Sequence, residues 1–329
     1  MSKSHQSQVL ITGAGGFIGS HLVERCVEAG HKVRAFVHYN ARNFHGWLEA
    51  SPCYGDLEVV SGDIRDYDSV LAAAEGCEAV FHLAALIGIP YSYVSPQAYI
   101  RTNVEGTYNV LQACRTLCTP NVLVTSTSET YGTAQYVPID EKHPAVGQSP
   151  YAATKIAADQ LAISYHRSFA MPVKIVRPFN TYGPRQSARA IIPTVITQIL
   201  AGKRELSLGN LAPTRDLTFA RDTAAGFLAI ANHNGLLGEA VNIGMGSEIS
   251  IGDLVEKIAA IMGVEVTVAA AAERQRAAAS EVERLLADAS KLRAATGWAP
   301  EYDLDRGLRE TIAWLEQHHH GYKAGIYNV

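Results

Sequence analysis

The chain has 329 residues, 47% of them hydrophobic, and its 28 Lys and Arg against 32 Asp and Glu leave a net charge of −4. That length supports one large core plus an appended lobe, and the mild acidity excludes the basic stripe of a nucleic-acid binder. No apolar run approaches the roughly 18 residues of a membrane span. The N-terminal MSKSHQSQ lacks the apolar centre of a signal peptide, and five cysteines without a C-x-x-C pair argue for reduced thiols and a cytoplasmic location.

Val9–Thr12 reads as a short apolar strand, followed by Gly13-Ala14-Gly15-Gly16-Phe17-Ile18-Gly19 and an amphipathic helix to about Ala29. In this G-x-x-G-x-x-G spacing Gly13 permits the tight turn, Gly16 lets backbone approach a pyrophosphate, and Gly19 lets helix and strand pack closely. The helix start at Phe17 and Ile18 supplies amides and a partial positive charge for phosphates. The second strand, Val33–Val37, ends without the acid that would hold a ribose 2′-hydroxyl. His38 and Arg42 stand there instead, either as partners of a 2′-phosphate, which leans toward NADP, or as surface residues of the loop.

Leu57–Ser61 is the next strand, and Asp63 and Ile64 after it are positioned to touch an adenine. Ala79–Leu83 follows, with Leu83, Ala84 and Ala85 small or apolar enough for close approach of a cofactor. A helix is expected over about Pro96–Cys118, containing Asn103. Its Cys114 and Cys118 share a face suited to packing. Val122–Ser126 reads as a buried strand with Thr127, Ser128 and Glu129 at its end, where a parallel sheet binds ligands. Ser149 and Pro150 then open a helix, an N-cap oxygen followed by a ring that lacks a wasted N–H. Tyr151 and Lys155 lie on one face of it. A phenol has an unperturbed pKa of about 10; a neighbouring ammonium lowers it, so the pair can exchange a proton with an alcohol. Taken alone Tyr-x-x-x-Lys is an ordinary helix pattern, and the glycine-rich loop upstream is what lifts it above that.

Strands alternating with helices give an α/β fold with a doubly wound, Rossmann-type parallel sheet. The expected division is a dinucleotide-binding domain over residues 1–178, with a returning segment at about 217–243. Residues 179–216 and 244–329 then form a smaller mixed α/β substrate lobe. No 20–50-residue repeat appears. Ala269–Ala272 and Ala277–Ala279 form an alanine-rich stretch around Glu273–Arg276, and His318–His320 read as solvated rather than metal-binding.

Gly13-x-x-Gly16-x-x-Gly19, His82–Ala85, Ser126–Gly132 and Tyr151-x-x-x-Lys155 together resemble the extended short-chain dehydrogenase/reductase family of nucleotide-sugar enzymes. The likeness continues through Arg177–Pro184, Arg215-Asp216 and Gly297-Trp298-x-Pro300. Ala35–Val37 with Tyr39-Asn40, His82–Ile87 with Pro90–Tyr93, Pro178–Ala190 and Ile326–Val329 further resemble the NAD-dependent 4,6-dehydratases acting on nucleotide-linked N-acetylglucosamine in legionaminic acid biosynthesis. The resemblance implies a tightly bound NAD or NADP regenerated in each turnover. It implies that Tyr151 takes the proton of the sugar 4-hydroxyl while Thr127 aligns it. Glu129 then removes the C5 proton, and Ser128 stands where related glucose-type enzymes carry an aspartic acid. Lys155 and Asn103 orient the cofactor. Asn180, Arg215 and Arg276 match diphosphate-binding positions, Arg185 belongs to the same substrate-side motif, and Tyr91 and Tyr93 either face the sugar or pack. For Arg215 the alternative is an ion pair with Asp216 or Asp222. A homodimer through a four-helix bundle is also implied. The rival activity is 4-epimerisation with the same Tyr–Lys pair, which needs no base at C5. A non-catalytic NAD(P)-sensing protein is the third reading, and it has no use for Tyr151, Lys155 and Glu129.

Overall fold

A computed structural model describes residues 7–271 and 280–322, so Arg276, most of the alanine-rich stretch and residues 326–329 lie outside the described residues. The first part of the chain runs β1 (Gln8–Thr12), α1 (Phe17–Glu28), β2 (Lys32–His38), β3 (Glu58–Gly62), α2 (Tyr67–Ala74) and β4 (Ala79–His82). Next come α3 (Ile89–Val94), α4 (Pro96–Tyr99), α5 (Gly106–Thr116), β5 (Val122–Thr125), α6 (Pro150–Phe169) and β6 (Val173–Pro178). Then follow β7 (Asn180–Tyr182), α7 (Ile191–Leu200), β8 (Glu205–Leu208), β9 (Thr214–Arg215), β10 (Leu217–Phe219), α8 (Ala220–Ala231) and β11 (Ala240–Ile243). The chain closes with β12 (Ile249–Ser250), α9 (Ile251–Ile261), β13 (Thr267–Ala270), β14 (Arg284–Leu285), α10 (Ser290–Thr296) and α11 (Leu304–His318).

Seven parallel strands form the main sheet in the order β11-β6-β5-β4-β1-β2-β3. Val9, Leu10 and Ile11 in its middle are buried, the continuous apolar run that a sheet covered on both faces requires. One face packs against α1, α8 and α10, the other against α2, α5 and α6. A third apolar cluster joins α7, α9 and α11 to β8 and β10. Of the segment 217–243, β10 pairs with β7 outside the main sheet, whereas β11 lies beside β6 within it.

The helix expected over Pro96–Cys118 is broken. Residues Ile100–Glu105 between α4 and α5 are π-helical, and there the side chain of Asn103 turns inward to bond the backbone of Leu86. Cys118 lies past the end of α5 with φ +53° and is exposed, while Cys114 is buried, so the two do not share a packed face. All five cysteines are free thiols. At α6 the start is as expected: the Ser149 hydroxyl accepts the Ala152 amide at 3.1 Å, Pro150 occupies the first turn, and Ala170 ends the helix with φ +51°. No helix among the described residues is long and apolar enough to cross a membrane.

Candidate active site at the strand ends

A continuous cleft of about 1150 Å³ runs along the C-terminal ends of β1, β2, β4 and β5 and reaches β7 and β9. Its first half is made largely of backbone. Gly13 has φ +71°, and a Cβ there would sit 2.8 Å from the Ala84 amide nitrogen. A Cβ on Gly19 would lie 2.2 Å from the Gly13 carbonyl oxygen, so helix and loop touch directly. Gly16 begins α1 without a side-chain cap, and no acid occupies the first turn. The amides of that turn are therefore left for an anion. The crowded position next to Gly16 is Gly15, which sequence reasoning passed over. A Cβ on it would meet the His45 carbonyl at 2.5 Å, and the Trp47 amide donates to the Gly15 carbonyl at 3.0 Å. The loop Phe44–Gly46 thus folds over the glycine turn and lines the cleft.

Leu83, Ala84 and Ala85 line the cleft opposite this loop. The Thr12 hydroxyl oxygen accepts the amides of Leu83 (3.1 Å) and Ala84 (3.2 Å). It is left to donate its proton to His82 Nδ1, 2.8 Å away. His82 Nε2–H then donates to the Thr107 hydroxyl (3.0 Å), which donates to the Asn103 carbonyl (2.7 Å). Burial followed by the Lys155 charge pulls His82 down to about 3, so it stays neutral. Asn103 itself lies behind the cleft wall, bonding the Leu86 amide (2.8 Å), the Leu86 carbonyl (2.9 Å) and the Thr154 hydroxyl (3.1 Å). It clamps the 83–88 loop to α6.

At the far end of this half, Asp63, Ile64 and His38 line the cleft. Arg65 grips Asp63 through Nε at 2.9 and 3.0 Å and holds its carboxyl below the usual carboxylate range. His38 Nε2 lies 3.8 Å from the same carboxylate. Arg42 does not line the cleft. Its amide is taken by the Asn40 side chain at 3.1 Å, which folds the loop and directs the arginine outward. Arg65 is the cation present there instead. The glycine cradle, the uncapped helix and the apolar walls fit a dinucleotide.

The second half holds Thr127, Glu129, Tyr151 and Lys155. Thr127 caps the short turn Ser128–Tyr131 by accepting the Glu129 amide at 3.2 Å. That turn brings the Glu129 carboxylate into the cleft, where among the described residues it makes no hydrogen bond or ion pair. Tyr151 is buried, and burial pushes its phenol up; a Thr127 hydrogen bond offsets this and the Glu129 charge adds to it. The expected depression by Lys155 is absent. Burial pulls the Lys155 ammonium down to about 8, with Asp159 opposing, and Nζ donates to the Thr125 carbonyl at 2.6 Å. The ammonium is spent on the strand end rather than on the phenol. Ser128 is buried and does not line the cleft, because the turn that exposes Glu129 directs its neighbour inward.

On the substrate side, Asn180 and Arg215 line the cleft, and Asn180 Oδ1 is buried without a partner among the described residues. Arg215 is paired neither with Asp216 nor with Asp222. Its Nη2 lies 3.4 Å from Glu281, which lines the same cleft, while Asp216 accepts the amides of Met245, Gly246 and Ala287, and Asp222 those of Glu301 and Tyr302. Arg185 is drawn away: its positive φ of 72° aims it at Glu24 of α1, 2.7 Å distant. Tyr91 also stays outside, packing its ring 6.1 Å from Tyr99, and the Tyr93 hydroxyl bonds Ser280. A residue sequence reasoning missed is Arg189, which lines the cleft beside Gly88 and Tyr99. Nothing in its spacing marks it out.

A doubly wound parallel sheet, a glycine-turn phosphate cradle and a buried Tyr–Lys pair at the strand ends define a protein of the dinucleotide-binding short-chain dehydrogenase type. Residues 10–311 match the family model described as GDP-mannose 4,6 dehydratase, and the chain belongs to that family, within the extended short-chain dehydrogenase/reductases that include nucleotide-sugar 4,6-dehydratases and 4-epimerases. It is 32% identical over 314 residues to a dTDP-glucose 4,6-dehydratase of Streptomyces antibioticus, covering 93% of this chain and 91% of the relative. It is 30% identical over 313 residues to a putative UDP-glucose 4-epimerase of Methanocaldococcus jannaschii, covering 94% and 98%. Among solved structures it is similar to DesIV, a dTDP-glucose 4,6-dehydratase of Streptomyces venezuelae with NAD and TYD bound, with a TM-score of 0.85, 28% identity and coverage of 96% and 99%.

Proposed function

We propose that the protein is an NAD(P)-dependent nucleotide-sugar 4,6-dehydratase. The substrate we assign is UDP-N-acetylglucosamine or its GDP form, in the role such enzymes have in legionaminic acid biosynthesis. The observation that carries this reading is the Glu129 carboxylate, unpaired among the described residues and facing the same cleft as Tyr151 and Thr127. Gly13, Gly16, Phe17, Ile18, Gly19, Ile64 and Leu83–Ala85 would hold the cofactor. When bound, it supplies a hydride acceptor at C4, a positive charge, and the return of that hydride to C6. Tyr151, its phenol drawn down by that positive charge against the burial that raises it, accepts as phenolate the proton of the 4-hydroxyl, held in line by Thr127. The resulting 4-ketone acidifies the C5–H bond, and Glu129 takes that proton. The C6 hydroxyl leaves as water on receiving a proton. With Ser128 out of the cleft, Glu129 is the carboxyl available to give the proton back. Asn180 and Arg215 bind the diphosphate; an Arg fork matches phosphate oxygens and keeps its charge.

We further assign a cytoplasmic homodimer joined through α5 and α6, which pack on each other and leave Tyr108 46% exposed. The similarity to a 4-epimerase supports a second reading, in which hydride returns to C4 and Glu129 has no role. Glu129→Gln separates the two. Under the dehydratase reading turnover of UDP-N-acetylglucosamine falls about 10²–10⁴-fold with NAD(P) binding intact; near-normal turnover removes Glu129 as the C5 base.

A further inference from the structure

The face of α6 that carries Tyr151 and Lys155 continues one turn further to Asp159, and each of the three side chains meets one residue at the end of β5. Tyr151 shares the cleft wall with Thr127, whose hydroxyl offsets part of the rise that burial imposes on the phenol. Lys155 Nζ donates to the Thr125 carbonyl at 2.6 Å. Asp159 Oδ2 accepts the Ser126 hydroxyl at 2.8 Å. Asp159 is only 1% exposed, and the same oxygen is bound by Arg177 Nε (3.2 Å) and Nη2 (2.8 Å). Arg177 is fixed in turn by the Tyr131 hydroxyl at 3.0 Å, and that hydroxyl donates to Asn242 at 2.8 Å. Asp159 Oδ1 is buried with no hydrogen-bond partner among the described residues.

A buried ion pair is weak evidence for stability, since desolvation consumes much of the attraction. A carboxylate kept there with one oxygen unspent calls for another use. The opposite charge one helical turn away is Lys155, and Asp159 is the acid that supports its ammonium against burial. The other titratable groups around this row are His82 on β4, held neutral, Tyr99 on α4, whose ring packs edge-on 6.3 Å from that of Tyr151, Arg177 on β6, and Tyr131 and Glu129 in the turn after β5.

We propose that Asp159 is a positioning residue for proton transfer at Tyr151: it keeps the Lys155 ammonium charged and ties the strand end bearing Thr127 and Glu129 to the helix face bearing the phenol. The proposal rests on the dehydratase reading for its rate measurements but not for its charge measurement. Asp159→Asn is the direct variant. It strands the buried Arg177, so Asp159→Asn/Arg177→Gln, which neutralises both partners, is made beside it. In wild-type protein carrying ¹³C-labelled lysine, the Lys155 resonance, assigned by its loss in Lys155→Met, should titrate well below the ordinary lysine value, at about 8. In Asp159→Asn that midpoint falls by about one unit or more; in the double variant the loss of the Arg177 charge offsets part of the fall, which is smaller but in the same direction. The alkaline fall of kcat on UDP-N-acetylglucosamine moves down by the same interval, while KM changes less than kcat. A Lys155 midpoint and a pH profile unchanged from wild type, with kcat uniformly lowered, would overturn the proposal and leave Asp159 a structural residue. If wild type turns over no nucleotide sugar, the dehydratase reading fails, and the Lys155 midpoint still decides the role of Asp159.

Discussion

Around the glycine turn the cleft walls are backbone, Gly13, Gly15 and Gly16 facing Leu83–Ala85, with almost no freedom in where they lie; on the substrate side they include long side chains whose direction depends on which partner captures them. Gly13, Gly15 and Gly19 are pressed against Ala84, His45 and Gly13 backbone, so spacing along the chain dictates the cradle. Arg185 and Arg189 follow β7 and Arg215 sits on β9, yet Glu24 takes the first away from the cleft and the other two line it. A backbone site is thus written in the local sequence, whereas a side-chain site is decided by distant acids.

The sharpest way to break this contrast is at Gly13. Gly13→Val forces a branched residue to positive φ, costing about 1–3 kcal/mol in strain, and drives its Cβ into the Ala84 amide. NAD(P) affinity measured by fluorescence titration should drop by about 100-fold or more; retained affinity would mean the cradle does not hold the cofactor. On the side-chain half, Arg215→Ala should raise KM for the nucleotide sugar by about 10–100-fold, the worth of a hydrogen bond to a charged group. Arg185→Ala should leave KM within about twofold and lower Tm instead, through loss of the Glu24 pair. Equal KM effects from both would undo the distinction.

The gentlest test is acid stability. His82 is held at about 3 and His21 at about 4, both chiefly by burial. The unfolded chain therefore binds more protons below its ordinary histidine value of about 6.5. Stability from these groups is complete above that pH and is lost as pH falls toward the folded values. Tm should drop by roughly a few degrees between pH 7 and pH 5, and His82→Gln, which keeps polar contacts but cannot ionise, should flatten the slope.

The main fold was legible because strand and helix periods alternate, and because Gly13, Gly16 and Gly19 sit between a strand and a helix. Tyr151, Lys155, Thr127 and Glu129 were legible for the same reason, since a helix face and a strand end fix their meeting. Where the Lys155 ammonium points was not, because Nζ ends a long flexible side chain and the Thr125 carbonyl that captures it lies thirty residues upstream. Asp159 left a signal that spacing could have caught: it repeats the Tyr151–Lys155 interval, and Arg177 within the apolar strand β6 demands a buried acid. Arg42 and Tyr91 had no such marker: Arg42 sits in a loop whose course is set by Asn40, and Tyr91 on the short helix α3 packs against Tyr99.

The central claim is that Glu129 diverts a transient ketone into loss of water. Incubation with UDP-N-acetylglucosamine carrying deuterium at C4, followed by NMR of the product, tests it directly. The account predicts a 4-keto-6-deoxy sugar with the label at C6. A galacto-configured product with the label still at C4 would contradict it.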